Sequence, residues 1–164
     1  MAELTSGEFR TVIDDPAAPP PAGVRRIVFC SGKVYYDLLE RREADATTEV
    51  ALVRIEQLYP FPAEEYQAVL ARYAQAREVV WCQEEPQNQG AWYQIRHRLQ
   101  AGLGKDHVLL YAGREGAAAP ATGIHAQHQR EQEALVAAAL HSAESEESHR
   151  ATNRLTIAST RKGS

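Results

Sequence analysis

Apolar positions along the chain alternate between short continuous runs and helical spacing. Continuous runs of strand length occupy residues 26–30, 49–56, 78–83 and 107–111. Helical spacing follows them at 34–43, 62–73, 91–100 and 126–141. Uninterrupted apolar runs are typical of strands covered on both faces, and strands that alternate with helices indicate a parallel sheet. The pattern therefore predicts an α/β fold of three layers, in which helices flank a mainly parallel sheet.

The apolar pattern and the distribution of proline divide the chain into three regions. Residues 1–23 read as a lead-in and proline-rich linker, because Pro19, Pro20 and Pro21 fix the backbone and remove donors. Within it, 9–13 can form a short extended segment. Residues 24–141 carry the alternating pattern and form the predicted domain. Apolar residues nearly vanish in 142–164, which predicts a disordered tail.

Composition excludes several classes of protein. The chain has 164 residues, which suits one domain, and 18 basic against 22 acidic residues give a net charge of −4. This balance cannot neutralise a run of phosphates, so a nucleic-acid partner is not expected. No apolar run is long enough for a membrane span, and the first residues do not resemble a secretory signal. With two cysteines and no CxxC, the expected compartment is the cytoplasm.

The turn Ser31-Gly32-Lys33 is a candidate anion site. It joins a buried strand to a helix, where backbone N–H groups and a lysine could hold a phosphate or a carboxylate. The full phosphate-binding loop is absent, since Val34 stands where that motif needs a hydroxyl. A glycine turn with no ligand remains the alternative.

The segment 83–92 is the most unusual in the chain. It places amide and carboxylate side chains at the end of a strand, where ligands and partners meet parallel sheets. Glu84 and Glu85 are adjacent, so their side chains diverge and do not form an acid–base pair. We expect instead that this segment binds a neighbouring loop or another subunit. The predicted contact residues are Gln83, Glu84, Glu85, Asn88, Gln89 and Trp92.

The residues give no catalytic centre and no metal site. Cys30 and Cys82 lie in apolar strands, which predicts core positions and not nucleophiles. His125 and His128 are three apart without a third ligand at zinc spacing. Neither a G-x-S-x-G nor a G-x-G-x-x-G motif occurs. The sequence alone therefore assigns no chemistry to this chain.

Three long strings in order resemble one family. They are 30–39 (CSGKVYYDLL), 53–62 (VRIEQLYPFP) and 81–92 (WCQEEPQNQGAW), and the likeness extends from about residue 3 to residue 140. They resemble the C-terminal, transketolase-like domain of the thiamine-diphosphate-dependent first component of 2-oxoglutarate dehydrogenase. That enzyme decarboxylates 2-oxoglutarate and transfers the succinyl group to a lipoyl group in the tricarboxylic acid cycle.

The resemblance implies a role in a larger enzyme. In the family, the Gly-Asp-Gly cofactor motif and the catalytic histidines belong to earlier domains of the enzyme. Neither occurs in this sequence, so thiamine diphosphate and Mg²⁺ would bind to those other domains. The implied partners are the remaining domains of a homodimeric enzyme and the lipoyl-bearing succinyltransferase component. The implied compartment is the cytoplasm, or the mitochondrial matrix in a eukaryote. Some relatives bind an effector such as acetyl-CoA or a nucleotide, which adds Arg41 and Arg42 to Ser31 and Lys33 as candidate anion ligands.

Three hypotheses follow. The first is a dimerisation and regulatory domain of the decarboxylating component, without an active site of its own. The second is a free-standing module of the same fold that binds a nucleotide or an acyl-CoA. The third is an enzyme that acts alone, which the absence of the motifs opposes.

Overall fold

The computed structural model describes residues 9–118 and 125–141. Its strands are β1 (Val12–Ile13), β2 (Arg26–Cys30), β3 (Val50–Ile55), β4 (Glu78–Cys82) and β5 (Val108–Ala112). Its α-helices are α1 (Val34–Ala44), α2 (Ala63–Arg72), α3 (Trp92–Ala101) and α4 (His125–Leu140). The predicted tail, 142–164, lies outside the described residues. Within the described ranges, no helix combines the length and the apolar character needed to cross a membrane.

One five-stranded sheet forms the centre of the molecule, in the order β1-β3-β2-β4-β5. Strands β2 to β5 are parallel, and β1 pairs antiparallel with β3. This arrangement confirms the predicted three-layer α/β fold with a mainly parallel sheet. The sequence predicts four strands and a short extended segment at 9–13, and part of that segment forms the fifth strand, β1, because Val12 and Ile13 pair with Ile55 and Arg54.

The two faces of the sheet carry separate hydrophobic clusters. Side chains alternate along a strand, so Ile27 and Phe29 pack on one face of β2 while Val28 and Cys30 pack on the other. Helices α2 and α3 cover the first face and α1 and α4 cover the second, with Trp81 as the largest fully buried side chain. Both faces of the central strands are covered, which explains why these strands read as continuous apolar runs.

The lead-in packs against both layers of helices. Asp15 is 4% exposed, forms an ion pair with Arg42 of α1 and accepts from the backbone N–H of Leu52 at 2.9 Å. Asp14 accepts from Arg72 of α2 at 2.7 Å and from the Tyr73 hydroxyl at 2.9 Å. Asp14 and Asp15 lie within the lead-in, 1–23, for which the sequence predicts a linker. The structure instead makes them part of the packed unit, because their carboxylates satisfy cations on both faces.

Arg26 joins the start of β2 to the end of α4. Its side chain is buried, and it donates to the carbonyls of Ala138 at 3.1 Å and Ala139 at 2.8 Å and to Glu78 at 2.8 Å. An arginine at this position satisfies carbonyls that have no partner within the helix and complements the negative end of its dipole. Helix α4 therefore ends at the amino edge of the sheet.

Candidate functional site at the carboxyl edge of the sheet

The carboxyl ends of β2 and β4 meet at the point where the strand order reverses. From the central strand β2 the chain goes to β3 on one side, and β4 lies on the other side. Cys30 and Cys82 are register partners at the ends of these strands, so the next residues, Ser31 and Gln83, leave the sheet side by side. Ligands bind parallel α/β sheets at such a switch point. The fold thus brings together the two segments that the sequence selected separately.

Lys33 and Glu84 connect these two segments. Lys33 Nζ lies 2.9 Å from Glu84 Oε1, and the two side chains are 79% and 20% exposed. The hydrogen bond and the charge of Glu84 raise the pKa of Lys33. An ion pair this open to water adds little to stability. Lys33 is therefore a surface cation that pairs with Glu84, and the charge of Asp37 also helps to raise its pKa.

A polar network extends from Glu84 to α4. Gln132 Nε2 donates to Glu84 at 3.1 Å and to Asp37 of α1 at 2.7 Å. The Gln132 carbonyl accepts from Arg114 at 3.2 Å, and Arg114 also lies 3.4 Å from His128. The sequence pattern does not identify Asp37, Arg114 or Gln132 as residues of this site. No local signal could reveal them, since Asp37 and Gln132 are 95 residues apart in the chain.

Arg41 and Arg42 do not reach the Ser31–Lys33 turn. They lie in the last turn of α1, whereas the turn precedes its first residue, and an α-helix rises about 1.5 Å per residue. Arg41 donates to Asp45 at 2.7 Å, and Arg42 is buried with Asp15 and the Val50 carbonyl. The prediction that Arg42 binds an anion is inconsistent with this geometry, because a buried internal carboxylate already holds it.

Arg54 is a further cation near the Ser31–Lys33 turn, and the sequence pattern does not identify it. It stands at the end of β3, in register with Cys30, and its guanidinium lies 4.6 Å from the ring centre of Tyr35 in the first turn of α1. Its Nε is buried without a hydrogen-bond partner in the described part of the chain. Lys33 is thus close to Ser31 along the chain, and Arg54 is close to it through the register of β3 with β2.

The buried side chain of Gln83 holds the loop 84–90 in place through hydrogen bonds. It is 3% exposed, and its carbonyl accepts from Trp81 Nε1 at 2.8 Å and from the Trp92 backbone at 3.0 Å. Its amide donates to the carbonyls of Glu85 at 3.1 Å and Pro86 at 3.2 Å. A Cβ at Gly90 would lie 2.1 Å from the Gln83 amide, so any larger residue there would displace the Gln83 side chain from its hydrogen bonds. Gln83 shapes the loop and is itself out of reach of another domain.

The amides of Asn88 and Gln89 bind a neighbouring loop of the same chain. Both donate to the Ala117 carbonyl, at 3.0 and 2.8 Å, and the Ala117 N–H returns a hydrogen bond to Asn88 at 3.0 Å. Trp92 is partly buried against the ring of Tyr111, with centroids 5.0 Å apart. Of the six predicted contact residues, Glu85, Asn88 and Gln89 are exposed and Glu84 is partly exposed.

Exposed tyrosines surround this edge. Tyr36 in the first turn of α1 is 61% exposed, Tyr59 after β3 is 91% exposed, and Tyr93 at the start of α3 is 47% exposed. Tyrosine is enriched in protein interfaces because it combines a large apolar ring with a polar end. The edge therefore offers aromatic contact area beside charged and amide groups.

The edge is poorly suited to a cation or to nucleophilic chemistry. Asp37 and Glu84 share the Gln132 amide, and Lys33 already neutralises Glu84. Among residues 9–118 and 125–141, no group of three or more His, Cys, Asp or Glu could hold a metal ion. These groups therefore do not fit Mg²⁺ or the diphosphate-bound metal of a cofactor.

The two cysteines are core residues, as the sequence predicted. Both are 0% exposed at the ends of β2 and β4. Burial raises the pKa of the Cys30 thiol far above its usual range and that of Cys82 to about 12. Since the thiolate is the reactive form, neither residue is poised as a nucleophile.

The comparisons with known proteins agree with one another. The family model described as 2-oxoglutarate dehydrogenase C-terminal matches residues 1–140. A 2-oxoglutarate dehydrogenase E1 component from Haemophilus influenzae is 49% identical over 140 residues, which cover 85% of this chain and 15% of that protein. E1 components from Azotobacter vinelandii and Cupriavidus necator are 49% and 45% identical over 139 residues, covering 83% and 85% of this chain and 15% of each relative. The chain thus spans about a seventh of the length of these relatives.

Proposed function

The chain belongs to the 2-oxoglutarate dehydrogenase C-terminal family, and we propose that it is the C-terminal domain through which a 2-oxoglutarate dehydrogenase E1 component holds its other domains in place. In this function the chain supplies a docking surface, and the decarboxylation of 2-oxoglutarate takes place on other parts of the enzyme. In this proposal thiamine diphosphate and Mg²⁺ bind to those parts, as the resemblance to the family implies.

The exposed part of the carboxyl edge carries this proposal. Tyr36 and Tyr59 expose aromatic rings in the segments that follow β2 and β3, and Gln83 fixes the 84–90 loop that follows β4. A rigid loop loses little conformational entropy when it docks, and exposed aromatic rings gain free energy by burial. Glu85 supplies a charged group at the same edge. Such a surface suits contact with a neighbouring domain.

The wider assembly follows from the family. The proposed enzyme is a homodimer that works with a lipoyl-bearing succinyltransferase component in the cytoplasm, or in the mitochondrial matrix of a eukaryote. Because the relatives are named as E1 components, protein partners are part of this proposal.

Reconstitution with a shortened relative tests the docking function. We expect the chain to restore oxidative decarboxylation of 2-oxoglutarate when it is mixed with the Haemophilus influenzae E1 component truncated by its matching C-terminal part. The double variant Tyr36→Ser/Tyr59→Ser should reduce the restored activity about tenfold, since buried aromatic side chains dominate interface energies. The measurement is the rate of 2-oxoglutarate-dependent reduction of an artificial electron acceptor.

Val108→Ser is the matched control, because this side chain is 54% exposed at the opposite end of β5. It should restore activity as well as the unsubstituted chain does. Turnover by the isolated chain with thiamine diphosphate and Mg²⁺ would refute the proposal. So would equal restoration by the double variant and the control.

Effector binding at the same edge is a second candidate function. Lys33 is 79% exposed at the switch point, next to Ser31, and Arg54 adds a cation whose Nε has no hydrogen-bond partner in the described ranges. A nucleotide or acyl-CoA phosphate could replace Glu84 as the partner of Lys33. This candidate corresponds to the second hypothesis from the sequence, a free-standing module that binds a nucleotide or an acyl-CoA.

A thermal shift experiment tests the second candidate. Acetyl-CoA or AMP at one hundred times its dissociation constant should stabilise the folded chain by about 2.7 kcal/mol. The variant Lys33→Met should lose most of this stabilisation, whereas Arg25→Met, at an exposed position before β2 on the opposite edge of the sheet, should keep it. If both variants respond like the unsubstituted chain, Lys33 is not a ligand.

A further inference from the structure

The outer face of α3 is the strongest charged patch that the proposed function leaves unused. The helix buries Ile95 and Leu99 against the sheet, at 2% and 0% exposure. Its remaining surface exposes Arg96, His97 and Arg98, and Lys105 is exposed in the loop that follows. Successive residues of an α-helix are about 100° apart, so Arg96 and Arg98 lie on the two flanks of this exposed surface, with His97 between them. We refer to Arg96, His97, Arg98 and Lys105 as the α3 basic face.

No acidic residue balances the α3 basic face along the chain. The segment 86–105 contains neither Asp nor Glu, although acidic residues outnumber basic ones by 22 to 18 in the whole sequence. The nearest acidic residues are Glu85 before it and Asp106 after it, and Asp106 pairs with Arg77 at 3.4 Å. The patch is therefore a local reversal of charge in an acidic protein.

The arginines of α1 and α2 are all paired, in contrast to those of α3. Arg41 and Arg42 of α1 pair with Asp45 and Asp15, and Arg72 of α2 pairs with Asp14. Within the described ranges, neither Arg96 nor Arg98 forms an ion pair. The guanidinium of Arg96 instead lies 5.0 Å from the ring centre of Tyr93, which is itself half exposed.

Stability of the helix does not account for these charges. Only Arg98 lies in the last turn, where a cation favours the helix dipole. Arg96 is in the middle of the helix, and α3 has no acidic residue with which it could form an i,i+4 pair. The cations are therefore available to a partner.

We propose that the α3 basic face binds an acidic segment of a partner polypeptide through its carboxylates. Arginine forks match carboxylates in geometry, and arginine and tyrosine together are frequent anchors of protein interfaces. Three lysines and arginines in a chain of net charge −4 would neutralise too few phosphates for a nucleic-acid site. The relatives are components of an assembly by name, which favours a protein as the occupant. This surface lies on a helix layer and adjoins the docking loop at 84–90 through Tyr93, whose hydroxyl donates to Gln87 at 3.3 Å.

Titration of the full 164-residue chain with a fluorescein-labelled decaglutamate peptide tests this proposal. Fluorescence anisotropy should show binding that weakens as salt is added, because screening reduces contacts between exposed charges. The variant Arg96→Glu/Arg98→Glu should reduce the affinity about tenfold or more. A decaglutamine peptide should not bind.

The variant Arg10→Glu/Arg130→Glu is the matched control, since it changes the net charge by the same amount at exposed positions outside α3. It should reduce the affinity less than about twofold if the site is local, because distant surface charges are largely screened. Circular dichroism verifies that both variants are folded. Equal losses in the two variants would overturn the proposal, as would tighter binding of a ten-nucleotide DNA strand than of the acidic peptide.

Discussion

Replacing Asp15 with alanine should lower the free energy of unfolding by about 3–5 kcal/mol, since it leaves a buried arginine without its counter-charge. The Arg42 side chain is only 5% exposed, so water cannot replace the lost carboxylate. The same substitution removes the acceptor of the Leu52 N–H, which lies in the buried centre of β3. Urea unfolding followed by circular dichroism measures the effect.

Asp14→Ala is the control for this prediction. Asp14 pairs with the half-exposed Arg72 and accepts from the Tyr73 hydroxyl, so its loss should lower the free energy of unfolding by about 1–2 kcal/mol, less than the loss of Asp15. The double variant Asp15→Ala/Arg42→Met should recover part of the loss, because an apolar side chain needs no counter-charge. The importance of the buried pair would be disproved if Asp15→Ala cost no more than Asp14→Ala.

Substitution Gln83→Leu should lower the free energy of unfolding by about 2–4 kcal/mol, since two buried N–H donors lose their acceptor. These donors are Trp81 Nε1 and the backbone N–H of Trp92, at 2.8 and 3.0 Å from the Gln83 carbonyl. The leucine fills the space but offers no hydrogen bond, so the 84–90 loop also loses the amide that holds the Glu85 and Pro86 carbonyls.

Tryptophan fluorescence during denaturation measures this second effect, because Trp81 and Trp92 are the two tryptophans of the chain. Gln100→Leu, at an exposed position of α3, should change the free energy of unfolding by less than about 0.5 kcal/mol. Gln83→Leu should also impair reconstitution with the truncated relative, even at temperatures where it stays folded. An unchanged midpoint together with full reconstitution would contradict the role given to Gln83.

The sequence predicts the central part of the fold well. The apolar run 26–30 coincides with β2, and the run 49–56 exceeds β3 by one residue at each end. Tyr66, Val69 and Leu70 recur at helical spacing. This spacing predicts α2, because one apolar stripe of the helix faces the core. Strand β1 is harder to predict, since it has two residues and depends on the distant pairing of Val12 with Ile55.

The candidate site was only partly predictable. The register of parallel strands brings Ser31 and Gln83 together, and the position of each at a strand end is visible in the sequence. The role of Arg42 was misjudged because its partner, Asp15, precedes it by 27 residues and sits in a region that reads as a linker. Side-chain networks such as that of Gln132 depend on the packing of distant elements, which periodicity does not encode.

The direction of β1 has a consequence for how a longer polypeptide would be assembled. Since β1 is antiparallel to β3, the chain enters along the carboxyl edge of the sheet, where the Thr11 carbonyl accepts from the backbone N–H groups of Glu56 and Gln57. A domain that precedes residue 9 in a longer relative would be tethered next to this edge. Short tethers give effective concentrations in the millimolar range, so even contacts that are individually weak would keep the two domains together.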